Sequence, residues 1–197
     1  LENGGADGDN RYPRISANGD HVVWQSESSN LVLGDSNGHT DIFVAEVETS
    51  SITRVSVDSS GAQANSGSFS PEISSDGQQV VFASRATNLA AGGTTEGRSH
   101  VYTHDIVSGT TTLISLSNGG GEANGRTLDP VISADGNFVV FVSEATDIIP
   151  GNNGQQIYRV DIDGANPVLV SQDGGTQGND RSYTPSVSED GSVVAFA

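Results

Sequence analysis

The chain has 197 residues, no cysteine and no methionine, and its 8 basic residues, all arginine, stand against 25 aspartates and glutamates for a formal charge of −17. This composition excludes disulfides and thiolate metal sites, and so acidic a surface repels phosphate backbones and anionic membranes, so neither nucleic acid nor membrane insertion is expected. No apolar run reaches the ~20 residues of a membrane helix, and the absence of an initiator methionine points to a segment cut from a longer product.

Asp7 and Arg11 lead into a phrase that recurs throughout the chain. It opens at Pro13 as PRISANGDHVVW and returns at Pro71 as PEISSDGQQVVF, at Pro130 as PVISADGNFVVF and at Pro185 as PSVSEDGSVVAF, with spacings of 58, 59 and 55 residues. Asn18-Gly19, Asp76-Gly77, Asp135-Gly136 and Asp190-Gly191 supply the positive φ of tight hairpin turns. The strand after each turn is apolar on both faces, as in Val22-Val23-Trp24, Val80-Val81-Phe82 and Val139-Val140-Phe141, which requires cover on both sides. A third strand is predicted over 41–47, 100–106 and 156–162, with Phe43, Tyr102 and Tyr158 at matching places, and a fourth over 52–57, 111–116 and 167–171.

Four short strands per unit of 55 to 59 residues, with no helical period, describe an all-β propeller of about three and a half four-stranded antiparallel blades. The units run approximately over 7–63, 64–122, 123–177 and a partial 178–197, within a single segment 1–197. The ring is incomplete in this chain, so apolar blade ends are expected to face solvent or a partner, including a second copy.

Pro-x-[Ile/Val]-Ser-x-Asp-Gly-x-x-Val-Val-Phe, followed by a strand such as Asp41-Ile42-Phe43-Val44 and an outer strand such as Thr53-Arg54-Val55-Ser56, resembles the TolB-type repeat of bacterial β-propellers. The resemblance covers nearly the whole chain. It implies a periplasmic or extracellular bacterial protein that binds partners through its faces and central channel, and it carries little information on activity.

Several residue groups offer chemistry. Asp35, Asn37 and Asp41 place oxygen donors on a glycine-flanked loop that suits calcium or an Asx-capped turn, while the loops over 92–97 and 151–156 lack the equivalents. Gly34-x-Ser36-x-Gly38 matches a hydrolase nucleophile elbow in letters only, since no helix follows. Arg11, Arg126 and Arg181 precede three of the first strands and could form a partial anion-binding rim or ordinary ion pairs. Asn65, Asn124 and Asn179, with Asp7, recur six residues before each proline, and Ser16, Ser74, Ser133 and Ser188 recur after it; Glu46, Asp105 and Asp161 recur on the third strands. Repetition assigns these structural roles. His100 and His104 share a strand face and are expected to be solvated, and Trp24 is expected in the core.

Three functions fit this reading: a non-catalytic binding or scaffolding propeller, the propeller portion of a hydrolase or carbohydrate-active enzyme, and a self-associating spacer of a surface protein. The enzyme reading requires catalytic groups either from sequence outside this segment or from non-repeated carboxylates such as Glu144 and Asp147.

Overall fold

The computed structural model describes residues 5–95, 97–173, 176–178 and 181–197, and among them every regular element is a strand. Three consecutive four-stranded antiparallel sheets form blades 1 to 3: β1 (Asn10–Ile15) to β4 (Ser51–Arg54), β5 (Ser68–Ile73) to β8 (Thr110–Leu113), and β9 (Thr127–Ile132) to β12 (Val168–Leu169). Within them lie β2 (His21–Ser26), β3 (Asp41–Glu46), β6 (Gln79–Ser84), β7 (His100–Asp105), β10 (Phe138–Ser143) and β11 (Gln156–Asp161). A short ribbon, β13 (Gln172–Asp173) with β14 (Thr176–Gln177), connects blade 3 to a final hairpin of β15 (Ser186–Val187) and β16 (Val194–Ala195). The fold is a β-propeller whose ring this chain leaves open.

The second strands of blades 2 and 3 are sandwiched because alternate residues meet different neighbours. Val80 and Phe82 pack with Val23, Ile42 and Val44 of blade 1, whereas Val81 packs with Val139 and Phe141 of blade 3. Val140 and Val142 in turn meet Val187 and Val194 of the last hairpin. Stacked aromatic pairs Trp24–Phe43, Phe82–Tyr102 and Phe141–Tyr158 repeat at centroid separations of 6.0, 5.9 and 6.1 Å. Trp24 is accordingly part of the core, 9% exposed.

In blades 1 to 3 the repeat proline lies inside the first strand. Arg11 faces Gln25 and Arg14 faces Val23, so Tyr12 and Pro13 together oppose Trp24 in a β-bulge. Phe69/Glu72 and Leu128/Val131 frame the same shift in blades 2 and 3. A bulge tolerates proline, which has no ladder proton to give. The residue before each proline has positive φ: Tyr12 (55°), Ser70 (52°), Asp129 (47°) and Thr184 (46°).

Candidate functional site: the axial groove and the loop face

The three bulges and the matching Thr184-Pro185 before the last hairpin converge. Tyr12, Ser70, Asp129 and Thr184, with Pro71, Pro130 and Pro185 and the following Arg14, Glu72 and Val131, line a groove of about 270 Å³ along the innermost strands. The geometry is repeated but the side chains are not: one position reads Tyr, Ser, Asp, Thr and another reads Arg, Glu, Val, Ser. Arg14 Nε donates to Glu72 Oε1 at 2.7 Å across the blade boundary. Burial pushes the Glu72 carboxyl up, while the Arg14 hydrogen bond and charge pull it down. Tyr12 is 55% exposed, so an aromatic face, an ion pair and a free carboxylate are presented together.

The repeated polar residues behave differently, since each is consumed in a hydrogen-bond motif. Asn65 Oδ1 accepts the Thr87 amide at 2.8 Å, and its own amide donates to Asn88 Oδ1 at 3.0 Å. Asn124 repeats this with Thr146 and Asp147, and Asp7 with Ser29 and Asn30. These clamps tie the segment entering each blade to the loop after its second strand, as repetition led us to expect; Asn179 lies outside the described residues. Asp147 thereby stands at the repeat position of Asn30 and Asn88, and its carboxylate is engaged as a clamp. Ser16, Ser74, Ser133 and Ser188 each donate to the turn Asn or Asp two residues on, at 2.6, 2.6, 2.6 and 2.8 Å, and accept an amide five residues on. Asp105 and Asp161 likewise accept from Ser108 and Asn166 in the outer turns, and Glu46 accepts from Thr49.

On the loop face, Asp35, Asn37 and Asp41 do come together, and the cation among them is one that the sequence reading overlooked. Arg54 Nη1 lies 3.0 Å from Asp35 Oδ1 and 3.4 Å from Asp41 Oδ2. Asn37 turns its Nδ2 toward Asp41 Oδ2 at 2.9 Å and the Ala64 carbonyl at 3.0 Å, presenting a donor where a metal needs an oxygen. Ser56 Oγ donates to Asp41 Oδ1 at 2.6 Å. Burial pushes the Asp41 carboxyl up despite Ser56, Asn37 and Arg54. Among the described residues no group of three or more His, Asp or Glu side chains has metal-holding geometry. Arg54 could have been noticed, because the same outer-strand position holds Leu113 and Leu169.

Ser36 belongs to this loop also, bonded to Gln63 through its hydroxyl (2.7 Å) and its amide (3.3 Å). Strand and helix flank an elbow nucleophile; here neither flanks Ser36. Arg126 and Arg181 stand four residues before their prolines, but Arg11 stands two before Pro13 and pairs with Asp9 at 2.5 Å. They thus occupy two levels, Arg181 beside Gln156 and Gln177 on the loop face, and the arginine of the axial groove is Arg14.

The histidines depart from expectation. His100 is fully buried and His104 is 5% exposed, because their strand face turns toward blade 1 with Tyr102. His104 Nδ1 meets Thr111 Oγ1 at 2.8 Å, and burial holds its pKa down against the pull of Asp105. His100 Nδ1 lies 3.3 Å from Ser115 Oγ and its Nε2 3.3 Å from Glu122 Oε2. This Ser–His–Glu series has the order of a hydrolytic triad, yet Ser115 is fully buried and its oxygen already accepts the Val101 amide at 3.1 Å. Ser56 and Ser171 make the same strand-head bonds in blades 1 and 3, which marks Ser115 as structural.

Comparison with known structures supports the fold. The chain is similar to a TolB-like protein from Agrobacterium tumefaciens, with 18% identity and a TM-score of 0.56, covering 100% of this chain and 60% of that one. A tricorn protease aligns at 15% identity and a TM-score of 0.57, over 92% of this chain and 14% of that protein. A structure from a study of two prolyl endopeptidases aligns at 14% identity and a TM-score of 0.56, over 96% and 26%. This chain therefore spans three fifths or less of each. The neighbours share the propeller architecture at identities that establish fold alone. No protein-family model and no curated protein sequence matches the chain. No helix among the described residues is long and apolar enough to cross a membrane.

Proposed function

We propose that this chain is a non-catalytic binding segment of a bacterial envelope or secreted propeller protein, and that it holds a polypeptide partner along the axial groove. The observation that supports this reading is the contrast in side-chain use. Positions that repeat are locked into hydrogen bonds, whereas Tyr12, Arg14, Glu72 and Asp129 differ between blades and converge on one groove. Tyrosine and arginine are also the side chains that most often anchor protein contacts. The TolB-type resemblance supports an envelope or secreted setting.

Selection of displayed random peptides on the immobilised chain tests the reading. Selected peptides should lose at least about tenfold in affinity against Tyr12→Ala/Arg14→Ala and keep it against Val107→Ser on the outer rim. Equal binding to both variants would refute the axial site. Turnover of a peptide, ester or glycoside panel would instead favour the enzyme reading.

Ile15 supports a second reading, self-association through the bare face of blade 1. It is 63% exposed, while its equivalents Ile73 and Ile132 pack into the inter-blade clusters. Solution mass should then rise with concentration and cease to do so in Ile15→Asp; a constant mass would reject it.

A further inference from the structure

The head of the third strand is a buried polar position whose chemistry changes from blade to blade. Asp41 and Gln156 each offer an oxygen to the hydroxyl of the facing serine, which donates from Ser56 at 2.6 Å and from Ser171 at 2.5 Å. In blade 2 the position is His100, and Ser115 faces its Nδ1. Ser115 Oγ accepts the Val101 amide at 3.1 Å, as Ser56 accepts Ile42 and Ser171 accepts Ile157. The serine proton therefore needs an acceptor on the strand-head residue in every blade. A neutral imidazole with its proton on Nε2 supplies one; an imidazolium, which only donates, does not.

The other side of the ring meets Glu122. Blades 1 and 3 have the neutral Gln63 and Gln177 at that place, each bonded to the loop after the second strand, through Ser36 and Asn153. Glu122 does the same through Thr95, whose amide donates at 2.7 Å and whose hydroxyl also donates. It differs in carrying a charge 3.3 Å from His100 Nε2. Blade 2 has thus replaced two neutral or oxygen-bearing partners with a histidine and a carboxylate.

We propose that His100 is a proton-operated latch on the loop face of blade 2: neutral, it secures the start of β7 to the chain leaving β8 through Ser115, and protonated, it releases Ser115 and turns to Glu122. Release frees the Val101 amide and draws Glu122 from Thr95, loosening the loop that forms one wall of a depression lined by Asn65, Arg85, Thr87 and Thr94. The charged groups facing His100 are Glu122, from the segment after β8, and Arg98, from the loop before β7; its neighbours Ser84 on β6 and Ser115 are neutral. Burial holds the imidazole below its ordinary 6.5, Glu122 pulls it up and Arg98 pushes it further down. Burial opposes the Glu122 charge, but the Thr95 bonds, His100 and Arg98 together hold that carboxyl below its ordinary value. Because the folded pKa of His100 is depressed, the open state takes the proton first as pH falls. The latch is complete above pH 6.5 and weakens as pH falls below it.

Amide exchange by NMR, corrected for intrinsic rates, tests this at about pH 7.5 and about pH 5. The protection of Val101 is expected to fall at least about tenfold in acid, while Ile42 and Ile157 keep theirs. His100→Gln, which installs the blade 3 residue, should make Val101 as insensitive to pH as Ile157. Glu122→Gln, which installs the residue of blades 1 and 3, should move the transition to lower pH. Equal loss at Ile42, Val101 and Ile157, or an unchanged pH response in His100→Gln, would overturn the proposal. So would a transition in Glu122→Gln that stays in place or moves to higher pH.

Discussion

The innermost strands of blades 1 and 2 carry the same bulge, the same proline and the same left-handed residue, yet β1 is exposed along its whole length while β5 is buried at Ser68 and Pro71. The difference lies in the neighbours. Blade 2 is covered on both faces, by Val23, Ile42 and Val44 on one side and by Val139 and Phe141 on the other, whereas blade 1 has cover on one. In a propeller a repeat is buried by the next copy of itself, so one sequence unit yields two energetic environments.

Truncating Phe82 to alanine should probe this contrast most strongly, because the ring is fully buried between blades; about 3–5 kcal/mol of stability should be lost in denaturant unfolding. Gly125→Ala comes next. A Cβ there would collide with the Ala145 backbone nitrogen, and about 1–3 kcal/mol should be lost, whereas Gly5→Ala meets nothing and should be neutral. Asn124→Ala removes both side-chain bonds to Thr146, leaves the backbone bond to Asp147, and should cost about 1–2 kcal/mol.

A smaller effect should appear in acid. The amide and hydroxyl of Ser192, with the Ser188 hydroxyl, lower Asp190 to about 2 from 3.8. Its contribution is present above pH 3.8 and disappears as pH falls toward 2, so acid titration of Asp190→Ala should show a shallower decline over that window than the parent. The smallest effect belongs to Ile15→Ala, at a site that is 63% exposed, where thermal unfolding should move by no more than about 0.5 kcal/mol equivalent. A large loss there would mean that the bare face of blade 1 is packed after all.

Most of the architecture was legible in the sequence because a repeat copies its hydrogen-bond geometry along with its letters. Ser74 and Asp76 read as a turn motif, and Asn65 and Asn124 as loop ties, since each returned at the same offset. The proline bulge was not legible: a proline argues locally against a strand, and only the register against Phe82 shows the chain passing through it. The Arg54 ion pairs and the burial of His100 were missed for a related reason. Both depend on which elements the stack brings against the strand head, and the letters within one strand do not carry that. Arg54 in place of Leu113 and Leu169 was the available signal.

The central claim is that repeated positions hold the fold while the axial positions are free to serve binding. Unfolding midpoints of two triple-alanine variants, measured side by side, test it most directly: Ser74, Asn65 and Asn124 in one, and Tyr12, Arg14 and Glu72 in the other. The first set should lose several kcal/mol, and the second, built on an exposed ring and a partly exposed ion pair, should stay within about 1 kcal/mol of the parent. Equal destabilisation by the two sets would contradict the account, because the axial side chains would then be part of the scaffold.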